Sequence, residues 1–182
     1  PGSVGGGIRM NAGAHGAEVS GTLARATVFD VRKGMSERAA SSLDLTYRHS
    51  SLTDDEVVLV AEFSLREDDP DAVKGRVEGY RKRRAATQPP AVQNAGSVFK
   101  NPPGDHAGRL VEAAGLKGFR VRDVAVADLH ANFFIAGPSA TAQDVYELVH
   151  EVRARVLDAF GVALEPEVRF VGSFQERTAE HR

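Results

Sequence analysis

Cysteine is absent from all 182 residues, which excludes disulfides, a thiolate nucleophile and iron–sulfur ligation and leaves any catalysis to other groups. Such a chain suits a reducing cytosol. A surplus of either charge is missing too: 23 Lys+Arg against 25 Asp+Glu give a net charge of −2, with a pI near 6.4. No basic field draws in nucleic-acid phosphates, so nucleic acid is not expected as a partner. No apolar run nears the roughly 20 residues that span a bilayer. The opening residues have neither the basic nor the apolar region of a secretion signal, so a soluble, untargeted chain with no membrane partner is expected. No His, Asp and Glu cluster has metal-ligand spacing, so no metal is expected. The chain does not begin with Met; Pro1-Gly2-Ser3-Val4-Gly5-Gly6-Gly7 reads as the interior of a loop, and N-terminal truncation is the expectation. What is present is 42% hydrophobic residues, enough to build the core of one compact domain or two small ones.

The spacing of those residues predicts mixed helices and strands. Thr22 to Asp30 reads as a strand, followed by a turn at Lys33-Gly34 and a polar stretch. Glu56 to Leu65 reads as a second strand, and its run Val57-Val58-Leu59-Val60 predicts burial on both faces. Asp69-Pro70 supplies a cap and a first-turn proline for a helix of about four turns, with Val73, Val77 and Tyr80 at helical spacing. Gln88-Pro89-Pro90 ends it, because two prolines cannot continue a helix, and a second unit begins there. In that unit, Ala107 to Ala114 reads as a helix stopped by Gly115, and Val121 to Ala127 and Asn132 to Ala136 as strands. Thr141 caps a helix whose stripe runs Val145, Leu148, Val149, Val152, Val156, Leu157 and Phe160 to a stop at Gly161. Val168 to Val171 reads as a closing strand, and Ser173 to Arg182 as a frayed polar tail.

Four segments carry candidate chemistry. In Pro1 to Gly16, glycines let backbone N–H groups approach an anion, although a tight glycine loop accounts for them equally, and the spacing is neither a Walker A loop nor a dinucleotide fingerprint. Asn94 to Pro103 sets Ser97, Lys100 and Asn101 in a rigid turn that either presents polar groups to a ligand or serves structure alone. Tyr47-Arg48-His49-Ser50 and Leu164 to Phe170 place Arg48 and Glu167 beside apolar residues. A charge drawn into a buried site needs a partner, whereas a solvated strand end is the commoner outcome. The basic run Arg81-Lys82-Arg83-Arg84 favours the helix dipole at its C-terminal end and could also meet a phosphate.

In this order, PGSVGG with MNAGAHG, YRHS, AGSVFKNP, AGRLVEAAGLKG, HANF and FGVALEPEVRFVG resemble one family, the UDP-N-acetylenolpyruvoylglucosamine reductases, MurB-type flavoenzymes of peptidoglycan precursor synthesis. The likeness covers essentially the whole chain. It implies an α+β fold in which residues 1–88 are the C-terminal part of a two-part FAD-binding region and residues 89–182 a mixed α/β substrate-binding domain. It also implies a cytoplasmic enzyme, and a chain that lacks the first part of the flavin region, holds FAD poorly and is inactive alone. The short stretch between Arg48 and Ser97 resembles the type II subtype, which has no tyrosine-bearing loop over the substrate.

The resemblance further implies that NADPH reduces FAD, which then reduces UDP-N-acetylglucosamine enolpyruvate to UDP-N-acetylmuramate. Ser97 matches the proton donor, and Arg48 and Glu167 match the residues that bind and polarise the substrate carboxylate. Beside an anion, Glu167 is expected to be protonated or to act through a donor. Arg84 and Asn101 match substrate contacts. Pro1, Gly2, Ser3, Gly5, Gly6, Asn11, Ala12 and Gly13 match the flavin loop. Two departures weaken the match: Thr87 stands where a lysine is common, and Val121 to Asp128 lacks the usual paired glycines and serine. His130 is expected to pack rather than catalyse. Two other readings remain open, a different flavin oxidoreductase on the same FAD-binding architecture and a catalytically silent nucleotide-sugar-binding module. Nothing in the sequence indicates an oligomeric state.

Overall fold

The computed structural model describes residues 2–90 and 92–175. It divides into two compact units, Pro1–Tyr80 and Arg81–Arg182.

The first unit is built on an antiparallel sheet of order β4-β3-β5, with β3 at Leu23–Asp30, β4 at Gly34–Ala39 and β5 at Glu56–Phe63. β3 is the strand the sequence indicated, and its position between two neighbours explains its burial: Leu23, Ala26 and Val28 pack with Ile8, Leu43 and Leu52. Register shifts at Leu23/Arg25 and Thr27/Val28 let Leu23 face the same way as Ala26 despite the odd spacing. Asp30 closes the turn to β4 by accepting the N–H groups of Arg32 (2.8 Å) and Lys33 (3.0 Å). These bonds, that of Arg32 foremost, hold its carboxyl below the usual range.

Three expectations fail in this unit. The glycine-rich opening is not a loop. Val4–Arg9 forms a short helix, α1, because the Ser3 hydroxyl accepts the Gly6 N–H (3.1 Å) at its start. The polar stretch after Gly34 holds a strand, β4, whose exposed edge position needs no apolar alternation. β5 exists, but it is not buried on both faces: it is an edge strand, and Val57 (54%), Leu59 (52%) and Val60 (59%) are exposed while Val58 and Ala61 pack against the core. Two short strands, β1 (Gly13–Ala14) and β2 (Ala17–Glu18), make a hairpin within the motif after α1.

The division between units falls inside α2 (Pro70–Thr87), which starts where Asp69 accepts the Ala72 N–H (2.8 Å) and ends before the paired prolines. None of its residues is buried.

The second unit packs α3 (Ala107–Ala113) and α4 (Ala142–Phe160) with a small antiparallel sheet, β6 (Arg120–Val121), β7 (Val124–Val126) and β8 (Phe134–Ala136). In α4, the residues at helical spacing, Leu148, Val149, Val152 and Val156, are fully buried and meet Phe99, Leu110, Val111, Val124, Phe134 and Leu164. Each such side chain contributes about 1.5–3 kcal/mol by leaving water. The helix is fixed at both ends. Thr141 and Asp144 bond each other's backbone N–H (3.2 and 2.9 Å), and Gly161 takes the left-handed conformation (φ 68°) that stops it.

Two strand expectations are corrected here. Val121 to Ala127 is not one strand but the β6–β7 hairpin, turned at Arg122 (φ 47°), whose guanidinium is anchored by Asp144 (2.7 Å) and Glu147 (2.9 Å). Val168 to Val171 forms no strand. Backbone pairing occurs upstream, at Glu165 to Glu167, where Pro166 is the bridge partner of Phe99, and farther along Phe170 joins a ring cluster with Tyr146 and Phe174. The expected frayed tail falls mainly on residues 176–182, outside the described residues.

Candidate functional site

In the first unit, the β1–β2 hairpin and the turn Thr46–His49 flank an open cavity of about 660 Å³ lined by Gly13, Gly16, Glu18, Gly21, Tyr47 and Arg48 among others. That volume is in the range of ligand sites. Thr46 and His49 exchange backbone hydrogen bonds (3.2 and 3.1 Å), a tight turn that sets Arg48 at φ 54°. A bulky residue in that region carries strain, which concentrates at functional positions. The Arg48 guanidinium donates to the Gly13 carbonyl (3.2 Å) and lies 5.0 Å from the centre of the Tyr47 ring. One wall is therefore glycine backbone and another a cation, an arrangement suited to a planar, anionic ligand.

Asn11 shapes this wall. It is fully buried at φ 40° and donates to Glu18 (2.8 Å) and the Thr46 carbonyl (3.1 Å), while its side-chain oxygen accepts the Ser20 N–H (2.9 Å). Its neighbours Ala12 and Gly13 lead from α1 into β1. Gly2 lies just before Ser3, which caps α1, and Gly5 and Gly6 lie within that helix. Pro1 lies outside the described residues.

In the second unit, the segment from Ser97 to Lys100 runs between two other stretches of chain. On one side it meets Asn132 and Phe133, through the Val98 N–H to the Asn132 carbonyl (2.8 Å). On the other, the Glu167 N–H donates to the Val98 carbonyl (2.8 Å) and the Lys100 N–H to the Glu165 carbonyl (2.9 Å). Ser97 and Glu167, seventy residues apart in sequence, are thus brought onto adjacent strands. Both are part-exposed, and the Ser97 hydroxyl has no hydrogen-bond partner among the described residues. Arg48 is carried by the first unit.

The other candidates lie at element ends. The Asn101 side-chain oxygen accepts the Ala107 N–H (3.0 Å), starting α3 where His106 makes no cap. Nearby, Asp105 bonds Arg109 (2.7 Å) and the His106 N–H, which together lower its carboxyl to about 2. Arg84 is exposed in the last turn of α2. His130 packs edge-on against Phe133 (4.9 Å), and burial pulls its imidazole below the usual value. Sequence reasoning passed over Asn132, which is 3% exposed and bonds both backbone groups of Phe99. The signal available was one amide in the otherwise apolar run from Ala131 to Phe134. Among the described residues no acidic or histidine group is arranged to hold a metal, and no helix is long and apolar enough to cross a membrane.

With this geometry in hand, comparisons with known proteins are informative. Residues 88–171 match the family model described as UDP-N-acetylenolpyruvoylglucosamine reductase, C-terminal domain. The chain is 47% identical over 174 residues to UDP-N-acetylenolpyruvoylglucosamine reductase 2 of Symbiobacterium thermophilum, covering 94% of this chain and 56% of that protein. It is 42% identical over 177 residues to the reductase of Clostridium novyi, covering 97% and 58%. The crystal structure of UDP-N-acetylenolpyruvylglucosamine reductase from Thermus caldophilus superposes with a TM-score of 0.81 at 34% identity, over 91% of this chain and 59% of that one. The chain therefore spans somewhat more than half the length of the relatives it matches.

Proposed function

Because the chain belongs to the UDP-N-acetylenolpyruvoylglucosamine reductase family, we propose that the whole protein reduces UDP-N-acetylglucosamine enolpyruvate to UDP-N-acetylmuramate, with residues 1–88 serving FAD and residues 89–182 the sugar nucleotide. The observation that carries this reading is the pairing of the Ser97 to Lys100 segment with Glu165 to Glu167 inside the matched region. Peptidoglycan precursor synthesis in the cytoplasm, with NADPH as the electron source, follows from the same reading.

The residues of the first unit fit a flavin nucleotide: the cavity beside Gly13, Gly16 and Gly21 has glycine backbone for a wall. When bound, FAD reduced by NADPH supplies the hydride. Gly2, Ser3, Gly5 and Gly6 set the start of α1, and Asn11 with Ala12 and Gly13 hold the hairpin against the Thr46–His49 turn.

Hydride arrival at the terminal carbon of the enolpyruvyl group leaves negative charge on the neighbouring carbon and the carboxylate. Arg48 pairs with that carboxylate through parallel N–H donors, which a lysine cannot offer. Glu167 polarises the same group from its place next to Val98. Ser97 gives its hydroxyl proton to the carbanionic carbon. Alignment matters more than acidity for that step, since the acceptor is strongly basic. Arg84 takes the diphosphate, and Asn101 contacts the sugar nucleotide next to α3.

The test is substrate-dependent NADPH oxidation by the whole protein, run beside flavin absorbance of the whole protein and of the 182-residue chain. Turnover by the whole protein supports the reading. Flavin content without sugar-dependent oxidation points to another flavin oxidoreductase, and binding of UDP with neither flavin nor turnover to a silent module; either result overturns it.

A further inference from the structure

We propose that Asn132 is a positioning residue for the reaction, holding Ser97 and Glu167 in register through a two-point grip on the strand between them. The proposal rests on the roles given above to those two residues. Among the described residues the segment from Ser97 to Lys100 belongs to no extended ladder: it meets its neighbours at the isolated bridges Ser97–Phe133 and Phe99–Pro166, with the Lys100 ammonium on Glu165 (2.6 Å) as a further tie. A strand pinned so sparsely can slide or tilt, and each lost register would carry the Ser97 hydroxyl away from its target. Asn132 supplies what the ladder lacks. Its side-chain oxygen accepts the Phe99 N–H (2.9 Å), its amide donates to the Phe99 carbonyl (2.8 Å), and its own carbonyl accepts the Val98 N–H (2.8 Å).

The grip acts on both candidate groups at once. Asn132 precedes Phe133, the bridge partner of Ser97, and the Val98 carbonyl on the gripped strand receives the Glu167 N–H. The surroundings hold the amide still: it is 3% exposed, the Asn132 N–H donates to Nδ1 of His130 (3.2 Å), and Phe99 lies edge-on to Phe134 at 5.9 Å. α3 approaches closely, for a Cβ on Gly108 would stand 3.6 Å from the Asn132 Cβ and 3.2 Å from the His130 ring. Other buried polar side chains serve different ends; Asn11 and Asp30 shape hairpins and Asp144 caps α4.

The experiment is Asn132→Asp and Asn132→Ala in the whole protein, with flavin reduction by NADPH and reoxidation by the sugar nucleotide followed separately across pH. Aspartate keeps the acceptor for the Phe99 N–H. Only in its protonated form does it donate to the Phe99 carbonyl, and burial together with that bond raises its pKa. Reoxidation by the aspartate variant should fall on the order of 10- to 100-fold above that pKa and recover as pH drops through it. The alanine variant should stay slow throughout, and flavin reduction and UDP affinity should change less than about twofold. The titrating groups near the site are His130 on the same loop, Glu112 of α3 and Lys117, whose charges act on His130, and Lys100, Glu165 and Glu167 on the neighbouring stretches. All are present in the native protein, whose own profile is the reference.

Amide hydrogen exchange on the chain provides a readout free of catalysis. The Val98 and Lys100 amides, which bond the two neighbouring stretches, should lose protection in the aspartate variant at high pH, as its carboxylate repels the Phe99 carbonyl, while Val149 and Val152 of α4 keep theirs. It decides the matter if the alanine variant does not fold. Equal loss of protection across α4, parallel slowing of both half-reactions, or native reoxidation by both variants overturns the proposal. If Ser97→Ala slows reoxidation and Asn132→Asp does not, the positioning role alone falls; if Ser97→Ala changes nothing, the reading of Ser97 falls, whatever the exchange shows.

Discussion

Gly13 offers a sharp test of how the first unit forms its cavity. A Cβ placed there would stand 2.8 Å from the Ala17 carbonyl oxygen and 2.7 Å from Cγ of Glu18. The Glu18 side chain can swing aside; the carbonyl cannot, because Gly13 pairs with Glu18 and Ala14 with Ala17 in a hairpin only two residues deep on each strand. Gly13→Ala therefore spreads β1 from β2. The displacement passes to Arg48, which donates to the Gly13 carbonyl, and to Asn11, which is bonded to Glu18. Overpacking of this kind costs about 1–3 kcal/mol, and if that falls on the ligand-bound form, flavin affinity drops roughly 5- to 150-fold. Flavin absorbance per protein and thermal unfolding with added FAD would measure it. Gly7→Ala is the control: it lies in α1, where a Cβ meets only the Ala12 Cβ at an ordinary 3.8 Å. Alanine there should be neutral or stabilising by up to about 1 kcal/mol. Equal behaviour of the two variants, or native flavin content in Gly13→Ala, would refute the claim that close backbone approach, rather than glycine content, makes the wall.

Other consequences are as direct. Arg48→Lys should slow reoxidation by the sugar nucleotide about tenfold or more, as one point charge replaces paired charge-assisted bonds; a near-native rate in stopped flow would remove Arg48 from the site. Thr141→Ala should lower the second unit's stability by about 1 kcal/mol in urea unfolding through loss of the α4 cap, and an unchanged midpoint would contradict it. The Asp144 carboxyl is held below its usual value, first by the Thr141 N–H and further by Arg122. Its contribution is thus complete above the unfolded pKa near 4 and declines as pH falls through the lower folded value. The stability gap between native protein and Asp144→Asn should accordingly narrow in acid, and a gap that widens there would reverse the sign of the argument.

How much of this was legible in the sequence depended on whether the signal was local. α4 was plain, since its apolar stripe, Thr141 cap and Gly161 stop all lie on one stretch, and β3 was equally clear from Leu23 to Asp30. For β5 the strand was readable but its burial was not. A run such as Val57-Val58-Leu59-Val60 does not say whether layers lie on both sides, and here β5 is an edge. The β6–β7 turn escaped because Arg122 is no turn residue by composition; its left-handed backbone is tied by Asp144 and Glu147, more than twenty residues away. The closing strand was misplaced by a few residues because Glu165 to Glu167 pairs with a segment some 65 residues upstream. The candidate site was legible as motifs, through the likeness of AGSVFKNP and LEPEVRF to one family. The grip of Asn132 on Phe99 spans 33 residues and carries no local pattern, so only the structure reveals it.

Under the proposed function, the Ser97 hydroxyl supplies the proton that completes reduction of the enolpyruvyl group. Stopped-flow flavin absorbance on Ser97→Ala in the whole protein separates the two half-reactions and tests it most directly. Reduction by NADPH should run at the native rate and reoxidation by the sugar nucleotide should slow about 10²–10⁴-fold; equal slowing of both, or native reoxidation, would remove Ser97 as the proton donor.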